Sequence, residues 1–303
     1  MVLKPRASST TSSRSWSIPS GFRDSKVYQA SSREHVVRTA VIGAGVMGAG
    51  IAELFASHGH EVTLIDVIPA ALSAAKERIS RHDAKLASIV FSADIASAKA
   101  AEVVIEAVVE SLDVKRKVFQ ELDRLNPSAI LASNTSTIRI ADIAAACKRK
   151  ERILGLHFYN PPQKMELVEI VRTEETNEES YRRAAELCKS LGKTPVTVKD
   201  EYGFVGNRGL MPLINEAVWM LHEGIATKED IDRVFTLGMR HPMGPLALAD
   251  FIGLDTCVAI MEQLQRGLKQ EKFRPCPLLA KLVKEGKLGR KSGEGFFRYE
   301  KSI

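Results

Sequence analysis

From residue 36 to about 199, short unbroken apolar runs alternate with longer stretches in which apolar residues recur every three or four positions. Apolar runs without polar alternation predict strands buried on both faces, and the longer stretches predict helices. The first unit is a strand over 36–42, a glycine turn, a helix-like run over 51–56 closed by Gly59, and a second strand over 62–65 that ends on Asp66. A helix to about Lys85 follows, then strands at 89–91 and 103–105, and a helix over 114–125 stopped at Pro127. The next strand, 129–132, runs into the polar turn Ser133-Asn134-Thr135-Ser136. This alternation predicts an α/β domain of the Rossmann type, its mostly parallel sheet covered on both faces. Ligands of such sheets bind beyond the carboxyl ends of the strands, where Glu106, Glu110 and the 133–136 turn fall.

Past Asp200 the pattern becomes purely helical. Leu210, Leu213, Ile214, Ala217 and Leu221 keep a helical period, with Gly224 as the stop. Thr227-Lys228-Glu229-Asp230 has the form of a capping box, and two more helices are expected near 255–268 and 277–284. The division expected is an extension over 1–34, a sheet domain over 35–199 and a smaller all-helical domain over 200–303.

Charge changes the picture only at the N-terminus. Of a formal net charge of +6, most comes from the first 38 residues, where seven basic side chains face two acidic ones. The remainder is close to neutral, a poor match for a nucleic-acid backbone. Residues 1–34 are rich in Ser, Thr and Arg and lack apolar periodicity, so they are expected to be disordered. Their composition suits a transit peptide and hence a mitochondrial location; a plain tail on a cytoplasmic protein is the alternative. The longest nearly uncharged stretch, 40–52, is too short to span a bilayer. Cys147, Cys188, Cys257 and Cys276 are far apart, which argues against a metal framework or a disulfide scaffold and for a reducing compartment.

Candidate chemistry begins at the glycine turn. Gly43, Gly45 and Gly48 have the G-x-G-x-x-G spacing between strand and helix, for the tight turn, the approach of a pyrophosphate and close helix packing. Asp66, about 20 residues on, is placed to receive the adenosine ribose hydroxyls. With no arginine directly after it to accept a 2′-phosphate, the cofactor expected is NAD rather than NADP. A second candidate is the hairpin formed by 155–158 and 167–171. Centred near Gln163, it sets His157 opposite Glu169, about 5 Å apart at the Cβ atoms. A carboxylate beside an imidazole fixes its tautomer and raises its basicity, as a general base requires; a structural, satisfied histidine is the other reading. Asn207, at the start of the first helix of the second domain, either points an amide into the cleft or caps that helix. Ser136 is likewise a site hydroxyl or the cap of a helix near Ile138.

Seven motifs then occur in order: G-A-G-V-M-G, S-N-T-S at 133–136, G-L-H-F-Y-N-P at 155–161, L-V-E-I at 167–170, G-F-V-G-N-R at 203–208, H-P-M-G-P at 241–245 and G-R-K-S-G-E-G-F-F at 289–297. Over residues 37–300 the chain resembles the short-chain L-3-hydroxyacyl-CoA dehydrogenases, including the 3-hydroxybutyryl-CoA dehydrogenases. The resemblance implies that His157 is the general base in oxidation, oriented by Glu169, while Ser136 and Asn207 hold the substrate oxygen. It implies NAD contacts at Glu110, Lys115, Asn160 and Lys291, an acyl-CoA substrate, and a homodimer formed through the helical domain.

One stretch departs from that pattern. The family has a two-helix excursion between the second and third strands that contacts coenzyme A, whereas about 22 residues here separate Asp66 from Ile89, room for one helix. Arg78, Arg81 and Lys85 offer phosphate contacts or simply a solvated face. Two alternatives therefore stand beside a CoA-thioester dehydrogenase. One is a dehydrogenase of non-CoA 3-hydroxy acids, of the carnitine or gulonate type; the other is a non-catalytic protein on the same fold.

Overall fold

The computed structural model describes residues 36–81 and 88–300. The expectations for the extension over 1–34 and for the end of the second helix at Lys85 lie outside the described residues. Strands β1 (Arg38–Ile42), β2 (Glu61–Ile65), β3 (Ile89–Ser92), β4 (Val103–Glu106), β5 (Ile130–Ser133), β6 (Ile153–Phe158), β7 (Leu167–Arg172) and β8 (Thr194–Lys199) form one sheet in the order β3-β2-β1-β4-β5-β6-β7-β8. All neighbours pair in parallel except β6 and β7, which are antiparallel. The order reverses between β1 and β4, the point at which a doubly wound sheet opens a crevice at its carboxyl rim.

Successive strand residues serve opposite cores, which is why the strands read as unbroken apolar runs. Val41 and Ile105 join one cluster with Phe55 and Leu187, from helices α1 (Val46–Ser57) and α5 (Glu178–Ser190). Their neighbours Ile42 and Val104 join the other with Phe119 and Leu122 of α3 (Leu112–Leu125). Between β2 and β3 the described residues hold a single helix, α2 (Pro69–Ser80). Helix α4 (Ile140–Ala144) follows β5, two residues later than expected, and Ser136 does not cap it. The Asp200 carboxylate does, accepting the N–H groups of Ile140 at 2.7 Å and Ala141 at 2.8 Å.

The remaining chain forms α6 (Gly206–His222), α7 (Lys228–Arg233), a π-helical turn (Val234–Gly238), α8 (Pro245–Ile252), α9 (Leu254–Leu268) and α10 (Pro277–Lys284). Their core is a third cluster that includes Met211, Val218, Leu246, Met261 and Phe296. Thr227 caps α7 by accepting the Asp230 N–H, and its own hydroxyl donates to the Asp230 carboxylate. The four cysteines are buried and unpaired. Among the described residues no helix is long and apolar enough to cross a membrane, and no group of three or more His, Cys, Asp or Glu residues could hold a metal ion.

Candidate active site

The glycine turn between β1 and α1 fits a dinucleotide. Gly43 has φ +102°, and a Cβ there would lie 2.6 Å from the Ala107 carbonyl oxygen. A Cβ on Gly48 would collide with the Gly43 carbonyl oxygen, so this glycine serves the protein's own packing. Gly45 differs: it opens α1, and a Cβ built on it meets nothing within 4 Å. No protein atom requires a glycine there; the open space is what a pyrophosphate would fill, over the free N–H groups of the first turn. Asp66 stands at the end of β2, its Oδ2 accepting the Ala44 N–H at 2.7 Å and its Oδ1 the Ile68 N–H at 2.9 Å. Each oxygen keeps a lone pair for a ribose hydroxyl.

At the other half of the rim, the antiparallel β6–β7 register sets His157 directly opposite Glu169. His157 Nδ1 lies 2.7 Å from Glu169 Oε2, and His157 Nε2 lies 3.1 Å from the Ser136 hydroxyl. Both members are buried, His157 at 5% and Glu169 at 2% exposure. Burial pushes the Glu169 carboxyl up, but its bonds to His157, the Gly206 N–H and Tyr159 prevail and hold it below the usual carboxylate range. A carboxylate on Nδ1 leaves the Nε2 lone pair facing Ser136, the tautomer that can take a proton. Glu169 Oε1 also accepts the N–H groups of Val205 at 3.0 Å and Gly206 at 3.1 Å, so the same carboxylate ties the hairpin to the start of α6.

Asn207, the second residue of α6, donates from Nδ2 to the Ser136 carbonyl oxygen at 3.0 Å. Its amide thus bridges to the β5 turn and is not a helix cap. Glu110 organises that turn from below. Its Oε1 accepts the Thr135 hydroxyl at 2.6 Å, the Thr137 hydroxyl at 2.8 Å and the Ser136 N–H at 3.0 Å. Burial raises the Glu110 carboxyl, yet the Lys115 charge and the threonine hydroxyls bring it below its ordinary value. Lys115, expected beside the cofactor, is 1% exposed and lies 2.7 Å from Glu106 Oε1 and 3.2 Å from Glu110 Oε2.

A cavity of about 410 Å³ separates this rim from α9, bounded by Met47, Val108, Glu110, Ser136, Ile260 and Gln263, with Asp255 and Lys115 also on its wall. Lys291 reaches its edge through Asp255, Nζ to Oδ2 2.7 Å. Asn160 stands apart from the bonded group. It is exposed at the end of β6, where its peptide to Pro161 is cis, in a turn whose Pro162 packs against Gly50 of α1. Arg78 turns to the Gly45 carbonyl oxygen at 3.4 Å, and Arg81 pairs with Glu77 on its own helix.

Sequence reasoning missed Tyr159 and Gln263, and it placed Glu106 and Asn134 at strand ends without giving either a role. Glu106 is fully buried, accepting from Lys115, the Val108 N–H at 2.8 Å and the Ser133 hydroxyl at 2.6 Å. Asn134 Oδ1 accepts the Phe158 N–H at 2.9 Å and so locks β6 to the β5 turn. Tyr159 donates to Glu169 Oε2 at 3.0 Å; its place two residues after His157 is the signal that would have found it, since alternate strand residues share a face.

The profile of the 3-hydroxyacyl-CoA dehydrogenase NAD-binding domain matches residues 38–201, and that of the same family's C-terminal domain matches residues 203–299. The chain belongs to the 3-hydroxyacyl-CoA dehydrogenase family. It is 48% identical over 276 residues to a probable 3-hydroxybutyryl-CoA dehydrogenase of Bacillus subtilis, covering 86% of this chain and 96% of the relative. To the mitochondrial hydroxyacyl-coenzyme A dehydrogenase of Rattus norvegicus it is 39% identical, covering 86% of this chain and 90% of that one. The crystal structure of (S)-3-hydroxybutyryl-CoA dehydrogenase PaaH1 from Ralstonia eutropha superposes with a TM-score of 0.83 at 40% identity, covering 88% of this chain and 100% of that chain. In this dehydrogenase family the sheet part is the NAD-binding domain, which agrees with the open cradle at Gly45 and the acid at Asp66.

Proposed function

We propose that this protein is an NAD-dependent (S)-3-hydroxyacyl-CoA dehydrogenase of the 3-hydroxybutyryl-CoA type, acting in fatty-acid or short-chain acyl-CoA metabolism. The observation that carries the reading is the bonded series Glu169–His157–Ser136, which ends on a cavity at the rim of the dinucleotide cradle. The cofactor chemistry NAD would supply when bound is that of a hydride acceptor for C3 in oxidation and, as NADH, a hydride donor in reduction.

His157 Nε2 takes the C3 hydroxyl proton during oxidation and gives it back during reduction. Glu169 holds Nδ1–H, orients the ring and stabilises the imidazolium that forms. Ser136 marks where the substrate oxygen sits, since its hydroxyl already occupies the acceptor on Nε2. Asn207 and Ser136 fix that oxygen, and the burial of His157 keeps water from competing for the proton. The turn of Gly43, Gly45 and Gly48 holds the pyrophosphate of NAD and Asp66 its adenosine ribose; Glu110, Lys115, Asn160 and Lys291 match family positions near NAD. The sheet part, 35–199, binds NAD, and the helical part, 200–303, supplies the substrate wall and a homodimer contact. Val234, Leu237 and Met239, exposed on and just after the π-helical turn, support assembly through that part; light scattering of the purified protein tests it. The Ser-, Thr- and Arg-rich extension supports import into the mitochondrial matrix, which fractionation of the tagged full-length chain tests.

The deciding assay compares NADH oxidation with acetoacetyl-CoA against NAD reduction with free 3-hydroxy acids. Turnover of the thioester is expected. Because one helix joins β2 to β3 among the described residues and Arg78 and Arg81 are engaged within the protein, activity on free acids alone would favour the non-CoA reading. NADH binding without turnover of either would favour a non-catalytic protein.

A further inference from the structure

Glu169 receives four donors, divided two and two. Oε1 takes the Val205 and Gly206 N–H groups from the start of α6. Oε2 takes His157 Nδ1 at 2.7 Å and the Tyr159 hydroxyl at 3.0 Å. Two donors on one oxygen compete for the same electron density, so the tyrosine weakens the hold of that oxygen on the imidazole. We propose that Tyr159 is a positioning residue that sets the pH range over which His157 exchanges its proton, acting through the shared Glu169 oxygen. This inference rests on the reading of His157 as the base.

Three further observations support it. The Tyr159 ring lies against the imidazole, centroids 4.9 Å apart and planes tilted by 44°, so the tyrosine is held beside its target. A Cβ on Gly206 would overlap the Tyr159 hydroxyl oxygen, so the first turn of α6 is cut away to admit that oxygen. Burial, followed by the Glu169 charge and hydrogen bond, pushes the Tyr159 phenol up, which keeps it a protonated donor. The other groups facing His157 are the neutral Ser136 on the β5 turn and the Phe204 ring ahead of α6, 5.7 Å away. On the β5 turn Glu110 accepts the Ser136 N–H and is matched by Lys115. Glu169 is therefore the ionised group in direct contact with the ring, and Tyr159 is the side chain that shares its oxygen.

The test is Tyr159→Phe in the full chain, read by NMR titration of the His157 imidazole and by the pH profile of kcat/KM for acetoacetyl-CoA with NADH. Without the phenol, Oε2 binds Nδ1–H more strongly and favours the imidazolium. The imidazole midpoint and the alkaline limb of the reduction profile are both expected to rise by about 0.5–1 pH unit. Gly206→Ala, which displaces the hydroxyl while keeping the tyrosine, is expected to move the midpoint in the same direction. An imidazole midpoint that is unchanged or lower in Tyr159→Phe overturns the inference. An alkaline limb that persists in His157→Ala instead overturns the reading of His157 as the base, and the NMR titration keeps the two failures separate.

Discussion

His157 and Glu169 are twelve residues apart in sequence and face each other across one antiparallel rung, their side chains closed to 2.7 Å. Removing the imidazole removes the ring nitrogen that meets Ser136 Oγ, while the glycine cradle and Asp66 lie on other strands. His157→Ala is therefore expected to lower kcat by about 10²–10⁴-fold, with NADH affinity nearly unchanged. Steady-state rates and fluorescence titration with NADH check this. A variant that keeps most of its activity would place the base elsewhere.

Asp66 holds the glycine turn through the Ala44 N–H and presents its remaining lone pairs outward from the end of β2. A ribose diol gains a charge-assisted acceptor there, whereas a 2′-phosphate meets like charge. Asp66→Ala is thus expected to weaken NADH far more than NADPH, so the preference between them narrows or reverses. Dissociation constants for both nucleotides measure it, and equal losses would contradict the ribose role.

The parts of the site that were legible in the sequence are those fixed by short-range geometry. Gly43, Gly45, Gly48 and Asp66 belong to one strand–turn–helix–strand unit, and His157 with Glu169 to one hairpin whose centre fixes its register. Helices α9 and α10 likewise start and stop within a residue of the expected limits, because their periodicity is local. What was not legible depends on chain segments brought together only by the fold. Asp200 caps α4 from sixty residues away, so the spacing around Ser136 and Ile138 left open whether Ser136 was the cap and could not name Asp200. Thr137 meets Gln263 across 126 residues at 2.8 Å, and no motif joins them. Glu106 was noticed at its strand end, but its bond to Lys115 requires knowing that α3 turns Lys115 back under β4.

That buried pair carries a stability prediction. Glu106 and Lys115 are 0% and 1% exposed and 2.7 Å apart, so neutralising the glutamate leaves an ammonium in the protein interior with one remaining carboxylate, Glu110. Loss of one partner of a buried pair costs about 3 kcal/mol, and the Glu110 contact offsets part of it. Glu106→Gln is expected to destabilise the fold by about 2–3 kcal/mol in urea denaturation. Adding Lys115→Met to Glu106→Gln should recover much of that loss, because no charge is then left unpaired in the interior: Glu110, which loses its cation, is 37% exposed and keeps the Thr135 and Thr137 hydroxyls. A double variant as weak as the sum of the two single ones would show that the pair is not coupled.

Glu110 makes the stability of the rim depend on pH. Burial raises its carboxyl, but the Lys115 charge and the Thr135 and Thr137 hydroxyls outweigh burial, so its folded value lies below the 4.5 of a free glutamate. Between those two values the unfolded chain binds more protons than the folded one, and stability therefore rises with pH there. The Glu110 contribution is fully present above about pH 4.5 and is lost as pH falls through the folded value. Asp200, Asp232 and Asp250 run the opposite way, since burial leaves each of them raised; they are common to wild type and variant and cancel in the comparison. The gap in urea midpoint between wild type and Glu110→Gln is therefore expected to be widest near neutral pH and to close on acidification below about 4.5. A gap that stays constant, or widens in acid, would mean that the carboxylate is not held by these donors in the folded protein.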